Sequence, residues 1–193
     1  MDDMPNDPLT RLYRRPGFMI RRAHQIAVAL FLEETGELKI TTTQYGILFL
    51  LEHRPGIDQV TVAKLLGLDR STTGMVVNKL ERAGLIGRGT VTRDRRRRSL
   101  HLTRAGEKML AHLAAPAKRA QARVLSALPP GERMVFLDML DKLTRGHNGT
   151  TRVPLAAHDS ADRPARERRS RMPVVAPKRH PQDGKPSQKW SSE

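Results

Sequence analysis

The sequence of 193 residues predicts a mainly α-helical fold: a helix–turn–helix with a small β-hairpin behind it, long flanking helices, and a disordered C-terminal tail. Three observations predict it. Apolar residues recur at three- and four-residue spacing through most of the chain up to residue 146. One stretch, 85–103, breaks that rhythm and alternates with the period of a strand. From residue 147 onward six prolines and many charges accompany almost no large apolar side chains, too little surface to offset the entropy of ordering.

Taken in order, residues 1–10 read as a flexible leader, its first eight residues acidic, polar and unlike a signal peptide. A helix follows over 18–34, with Ile20, His24, Ala27 and Phe31 on one face. Thr41 and Gln44 have capping-box spacing, the hydroxyl serving the third helical N–H while the Gln side chain reaches back. The helix they open carries Tyr45, Leu48, Phe49 and Leu51 and stops before Pro55-Gly56. Asp58 caps a short helix that buries Val62, Leu65 and Leu66 and breaks at Gly67. Asp69 caps the next, over 70–83, with Thr73, Val76, Val77 and Leu80 inward and Gly84 as its stop. In the hairpin, Leu100 and Leu102 point one way and Ser99 and His101 the other, with the tip at Arg93 to Arg96. Thr103 caps a long helix to about residue 128, where Pro116 removes one backbone donor and predicts a kink. Pro129-Pro130 opens a last helix with Phe136, Leu137, Leu140 and Leu143 as its stripe. The domain spans 11–146, with a reading lobe at 58–103 and a tail at 147–193. The outer helices, 11–36 and 104–146, carry more apolar surface than one small domain needs, which points to pairing with a second copy.

Charge narrows the partner. Lys and Arg outnumber Asp and Glu by 35 to 20, for a net +15. Eleven of the basic residues fall in 61–104, against three acidic ones, and ten more in 146–193, against five. A polyanion is the partner this predicts. There is no cysteine, so disulfides, thiolate metal sites and thiol-based sensing are excluded, and an intracellular, cytoplasmic setting is expected. No apolar run reaches the ~20 residues of a membrane span. No phosphate loop, nucleophile elbow or acid pair is present, so neither catalysis nor a cofactor is expected. The seven histidines lack ligand spacing, and no metal site is expected.

A helix–turn–helix lays its second helix in the major groove of double-stranded DNA. The outward face of that helix is predicted to hold Arg70, Ser71, Thr72, Gly74, Met75, Asn78 and Lys79. Arg70 and Lys79 suit phosphates; Ser71, Thr72 and Asn78 can bond bases or backbone, and Met75 suits a thymine methyl. The bland alternative is a solvated polar face. A charge run, too, is ordinarily only solvated. Here Arg93, Asp94, Arg95, Arg96, Arg97 and Arg98, with Arg88 nearby, are flanked by strand pattern and read as a projecting wing for the narrow minor groove. Asp94 paired with Arg96 would fix the turn, as a hairpin staple, as an aim for its neighbours, or as both.

The stretch DRSTTGMVVNKLERAGLI (69–86), then Asp94 and Arg96 ahead of Leu100, Leu102 and Thr103, closely resembles the MarR (multiple antibiotic resistance regulator) family, with its Asp-x-Arg wing and Leu-x-Leu-Thr. The Thr41–Gln44 cap and the turn Leu66 to Asp69 agree. The resemblance covers about residues 12–145. It implies a winged helix-turn-helix homodimer, joined by its first and last helices, that binds a palindromic operator and usually represses. Many relatives carry a small polar residue followed by Arg where this chain has Gly74-Met75. Such regulators commonly release DNA when a small molecule fills a pocket between the dimer helices and the reading lobe. Phe18, Arg21, Arg22, His24, Tyr45 and Phe49 are the candidate ligand residues, for an aromatic carboxylate or aryl-CoA; residues 14–25 look like the branch that senses such acids or their coenzyme A thioesters. The alternative for His24 is a satisfied core or interface histidine. The alternative for the whole is an architectural protein that binds DNA without sequence preference.

Overall fold

The computed structural model describes residues 7–91 and 94–156, with side chains for all of these except 90–98. Asp7 caps a short first helix, α1 (Pro8–Tyr13), by accepting the Leu9 and Thr10 N–H bonds. The last residues of the expected leader are thus helical, a turn too short to show a period. Proline at the first turn starts α2 (Pro16–Thr35). A 3-10 turn, Gly36–Leu38, leads to α3 (Thr42–His53), where both halves of the Thr41–Gln44 capping box form.

The reading lobe is α4 (Gln59–Leu66), α5 (Arg70–Arg82), β1 (Ile86–Val91) and β2 (Asp94–Leu102). Asp58 caps α4 through the Thr61 N–H, and Asp69 caps α5 through that of Thr72. Gly67 ends α4 at φ +62°, a left-handed turn that a side chain would resist. The strands pair antiparallel, Ile86 opposite Leu102 and Gly89 opposite Ser99, with a register irregularity at Thr90/Val91. The segment ahead of α4 lies along the other edge of β2: Leu100 N–H donates to Ile57 O at 2.8 Å and Gly56 N–H to Leu100 O at 2.9 Å. That cover protects an edge that would otherwise invite pairing.

Helix α6 (Arg104–Ser126) runs through Pro116 without a break in its helical assignment, and α7 (Pro130–Gly146) follows. One core joins the lobe to its supports. Ile47, Leu48 and Leu51 of α3, Val62, Val77, Leu80, Leu100 and Leu113 are all fully enclosed. The expected Leu65 and Leu66 are only half-buried, and Ala63 takes the second inner place on α4. A smaller cluster of Phe31, Ala117 and Ala120 holds α2 to α6, the alanines allowing close approach. Beside it Arg119 Nε meets Glu34 at 2.7 Å, and Arg123 bridges Glu33 and Glu34 at 3.1 and 3.0 Å. These guanidiniums, Arg119 foremost, hold the Glu34 carboxyl below its ordinary range.

Residues 147–156, expected to open the tail, are folded. Asn148 opens a 3-10 turn and is buried; its Oδ1 accepts from Leu155 N–H at 2.8 Å and its Nδ2 donates to Leu155 O at 3.2 Å. The Val153 carbonyl and the Leu155 side chain lie beside Gly67, so residues 147–156 fold back against the turn of the helix pair. Residues 157–193, with the rest of the expected basic tail, lie outside the described residues. Among the described residues no helix is long and apolar enough to cross a membrane, and no cluster of metal-ligating side chains occurs.

Candidate DNA-binding surface

Helix α5 presents its face as the sequence suggests, with one exception. Arg70, Ser71, Met75, Asn78 and Lys79 are exposed, Met75 at 66%, while Thr73, Val77 and Leu80 are buried. The exception is Gly74. A Cβ there would come within 3.2 Å of the Gln59 amide nitrogen, so Gly74 faces α4 and eases the crossing of the two helices. Sequence spacing places it on the reading face; the structure sets it, half-buried, on the flank of that face beside α4.

The first turn of α5 is pre-set by Asp69. Its carboxylate accepts from Ser71 Oγ at 2.6 Å, Thr72 N–H at 2.8 Å and Thr72 Oγ1 at 2.7 Å. The Ser71 hydroxyl, then the Thr72 N–H and the Thr72 hydroxyl, hold the acid ionised far below the ordinary carboxylate range. A carboxylate can only accept, so both hydroxyl hydrogens point back at Asp69 and each oxygen keeps its lone pairs to accept with.

The wing is bolted to the reading helix. Arg88 on β1 donates through Nε to Glu81 Oε2 at 2.9 Å and through Nη2 to Asn78 Oδ1 at 2.6 Å. Asn78 and Glu81 are three residues apart and share a helix face, so one planar guanidinium reaches both. Arg88, counted by sequence among the wing's cations, therefore braces α5. At the other end of the hairpin, Thr103 Oγ1 donates to Gly84 O at 2.6 Å and accepts from Gly106 N–H at 3.1 Å, while Thr103 N–H meets Leu85 O. The backbone of β2 from Asp94 is described, but the side chains of Asp94, Arg95, Arg96, Arg97 and Arg98 are not, and Arg93 lies outside the described residues altogether.

The candidate ligand residues form two groups. Phe18 is half-buried, with its ring 5.2 Å from Tyr13 and the Arg21 guanidinium 4.9 Å over its centroid. Tyr45 lies between Phe31 at 5.5 Å and Phe49 at 5.9 Å, and Phe49 stacks at 4.4 Å on His53, which sequence reading did not single out. Burial raises the Tyr45 hydroxyl above its ordinary pKa. Phe18 and Phe31 are thirteen residues apart on α2, about 20 Å along the axis, so the two groups do not meet within one chain. Arg22 reaches Gln25, at 3.5 Å, and His24 is exposed rather than in the core.

Comparison with known proteins agrees with this geometry. Residues 38–97 match the MarR family model. A putative transcriptional regulatory protein for the hcr operon of Thauera aromatica is 34% identical over 140 residues, covering 69% of this chain and 81% of that one. A probable transcriptional regulator from Pseudomonas aeruginosa is 31% identical, with a TM-score of 0.67 over 69% of this chain and 99% of that one. The repressor CouR, solved on a 23-mer DNA duplex, is 28% identical, with a TM-score of 0.66 over 72% of this chain and 99% of its own. A capped reading helix braced to a basic wing, a Thr103 hinge into a long helix, and these likenesses together carry one conclusion: the chain belongs to the MarR family of DNA-binding, winged-helix transcriptional regulators.

Proposed function

We propose that this protein acts as a homodimeric repressor on a palindromic operator and leaves it when a small aromatic acid, or its coenzyme A thioester, binds. The observation that carries the dimer is the condition of the outer helices. Helix α7 has no buried residue, yet Met134, Val135, Leu137, Met139, Leu140 and Leu143 are all exposed along it, as are Met19, Ile20 and Ile26 on α2. So much apolar surface on the helices at both ends of the domain suits a second copy. A two-fold pair presents two α5 helices to successive major grooves, about 34 Å apart, and that geometry asks for a palindrome.

The reading residues of this proposal are Arg70, Ser71, Thr72, Met75, Asn78 and Lys79 in the major groove and Arg93 to Arg98 with Asp94 at the minor groove. The effector reading rests on Phe18, Arg21, Arg22, His24, Tyr45 and Phe49, and on relatives. BpsR of Bordetella bronchiseptica, 25% identical, is regulated by 6-hydroxynicotinic acid, and CouR of Rhodococcus jostii RHA1 has been solved with p-coumaroyl-CoA. The two aromatic groups of one chain are too far apart to share a ring, so the site is completed in the dimer. The switch itself is modest: a ligand that prefers the DNA-incompetent dimer about a hundredfold shifts the balance by ~2.7 kcal/mol per site.

Calorimetric titration of the dimer with benzoate-, hydroxybenzoate- and cinnamate-type acids and their thioesters, followed by operator binding with the best of them, tests the effector. Saturable binding that lowers operator affinity is expected. Absence of binding across the whole series sinks the effector class and leaves the dimeric reader standing.

A further inference from the structure

We propose that Arg88 is a specificity-positioning residue: by holding the Asn78 amide oxygen in a charge-assisted bond, it weakens that oxygen as a base acceptor and biases Asn78 toward reading the major groove as a donor. This rests on the proposed placement of α5 on DNA. An asparagine amide has one acceptor end and one donor end of nearly the same shape, so its hydrogen-bond partners decide which is which. Here the chemistry does. A guanidinium has no lone pair to offer, so the atom 2.6 Å from Arg88 Nη2 is the oxygen, in a charge-assisted bond. The same guanidinium is held by Glu81 at 2.9 Å, and Arg88 is half-buried, so this clamp is set before DNA arrives.

The consequence lies in the base code. Asparagine ordinarily reads adenine with both ends, donating to N7 and accepting from the N6 amino group. In this chain the adenine amino group would have to share the oxygen with a cation. What Asn78 presents freely is its Nδ2 hydrogens. These match edges rich in acceptors, N7 and O6 of guanine or O4 of thymine. At the start of the same helix Ser71 and Thr72 have the opposite sense, their hydrogens already given to Asp69. The reading face thus runs from acceptors at its first turn to a donor at its third.

The test is selection of preferred sites from a duplex pool, using the full-length protein and the Arg88→Met, Arg88→Lys and Asn78→Asp variants, each checked by thermal unfolding. The wild type is expected to favour guanine or thymine over adenine by about tenfold at one position in each half-site. Arg88→Met should move that position toward adenine and leave the others unchanged. Arg88→Lys, still able to donate to the oxygen, should keep the wild-type choice. Asn78→Asp deletes the donor while keeping Arg88 paired, and should abolish the preference even if Arg88→Met does not fold. Adenine preferred by the wild type at the Asn78-dependent position overturns the proposal. So does an Arg88→Met protein that binds every site more weakly with an unchanged profile. A wild type with no preference anywhere overturns the DNA-reading proposal as well, which separates the two failures.

Discussion

Gly106 illustrates how little room the hairpin leaves where it meets α6. A Cβ built there runs into the Leu85 carbonyl, the same oxygen that accepts the Thr103 N–H. Because the obstacle is backbone, it cannot swing aside. Gly106→Ala is therefore expected to cost about 2 kcal/mol or more, read as a fall of several degrees in Tm with helical content retained. Asp69 makes a prediction of a different kind. Its folded pKa is depressed by the Ser71 and Thr72 hydroxyls and the Thr72 N–H, so its contribution is fully present above the unfolded value of ~3.9 and is lost only as pH falls toward the folded one. The gap in Tm between wild type and Asp69→Ala should stay constant from pH 8 to 5 and close in strong acid. A gap that closes near neutrality would mean that another group is titrating. Such caps are legible in sequence because each partner lies within four residues. Arg88 was not legible in the same way. Its partners lie seven and ten residues away on another element, and spacing could only count it as one more wing cation.

At the scale of elements, α5 and the hairpin behave as one unit, fastened at Arg88 and at Thr103. Periodicity found every element of that unit, since each buries a face in the common core and the pattern of that face is written locally. It missed α1, six residues long, and the fold of 147–156, where the Asn148 amide closes on Leu155. It also set Gly74 outward, because a helical period cannot say which flank of α5 meets α4. Arg70 and Lys79 are the cations on the proposed reading face of α5, and Met75 there is apolar, so the arginine-dense wing carries much of the proposed affinity. Replacing Arg95 and Arg96 together by Gln should weaken operator binding more than Ser71→Ala, measured by fluorescence anisotropy at fixed salt; the reverse order would contradict this division of labour. The folded 147–156 segment also moves the point at which a tail can be cut. Removal of residues 157–193 is expected to reduce the salt dependence of DNA binding while keeping site preference, and an unchanged slope would mean that those residues do not touch DNA.

At the scale of the whole molecule, the proposed pairing gives the outer helices a partner. In one chain α7 has no buried residue, and the two aromatic groups proposed for the effector stand about 20 Å apart along α2. Replacing Leu137 and Leu140 together by Glu should give monomers by sedimentation and lower operator affinity roughly a hundredfold or more, because the second half-site contact is lost. The central claim is that this pair reads sequence rather than charge alone. A net charge of +15 would bind any duplex, and an architectural protein would do no more. The most direct measurement compares Kd for the operator in the protein's own promoter region with Kd for a scrambled duplex of the same length and composition, across a salt series. The account predicts a ratio of about a thousandfold or greater that persists as salt rises, with both affinities falling. A ratio near one at every salt concentration would contradict it.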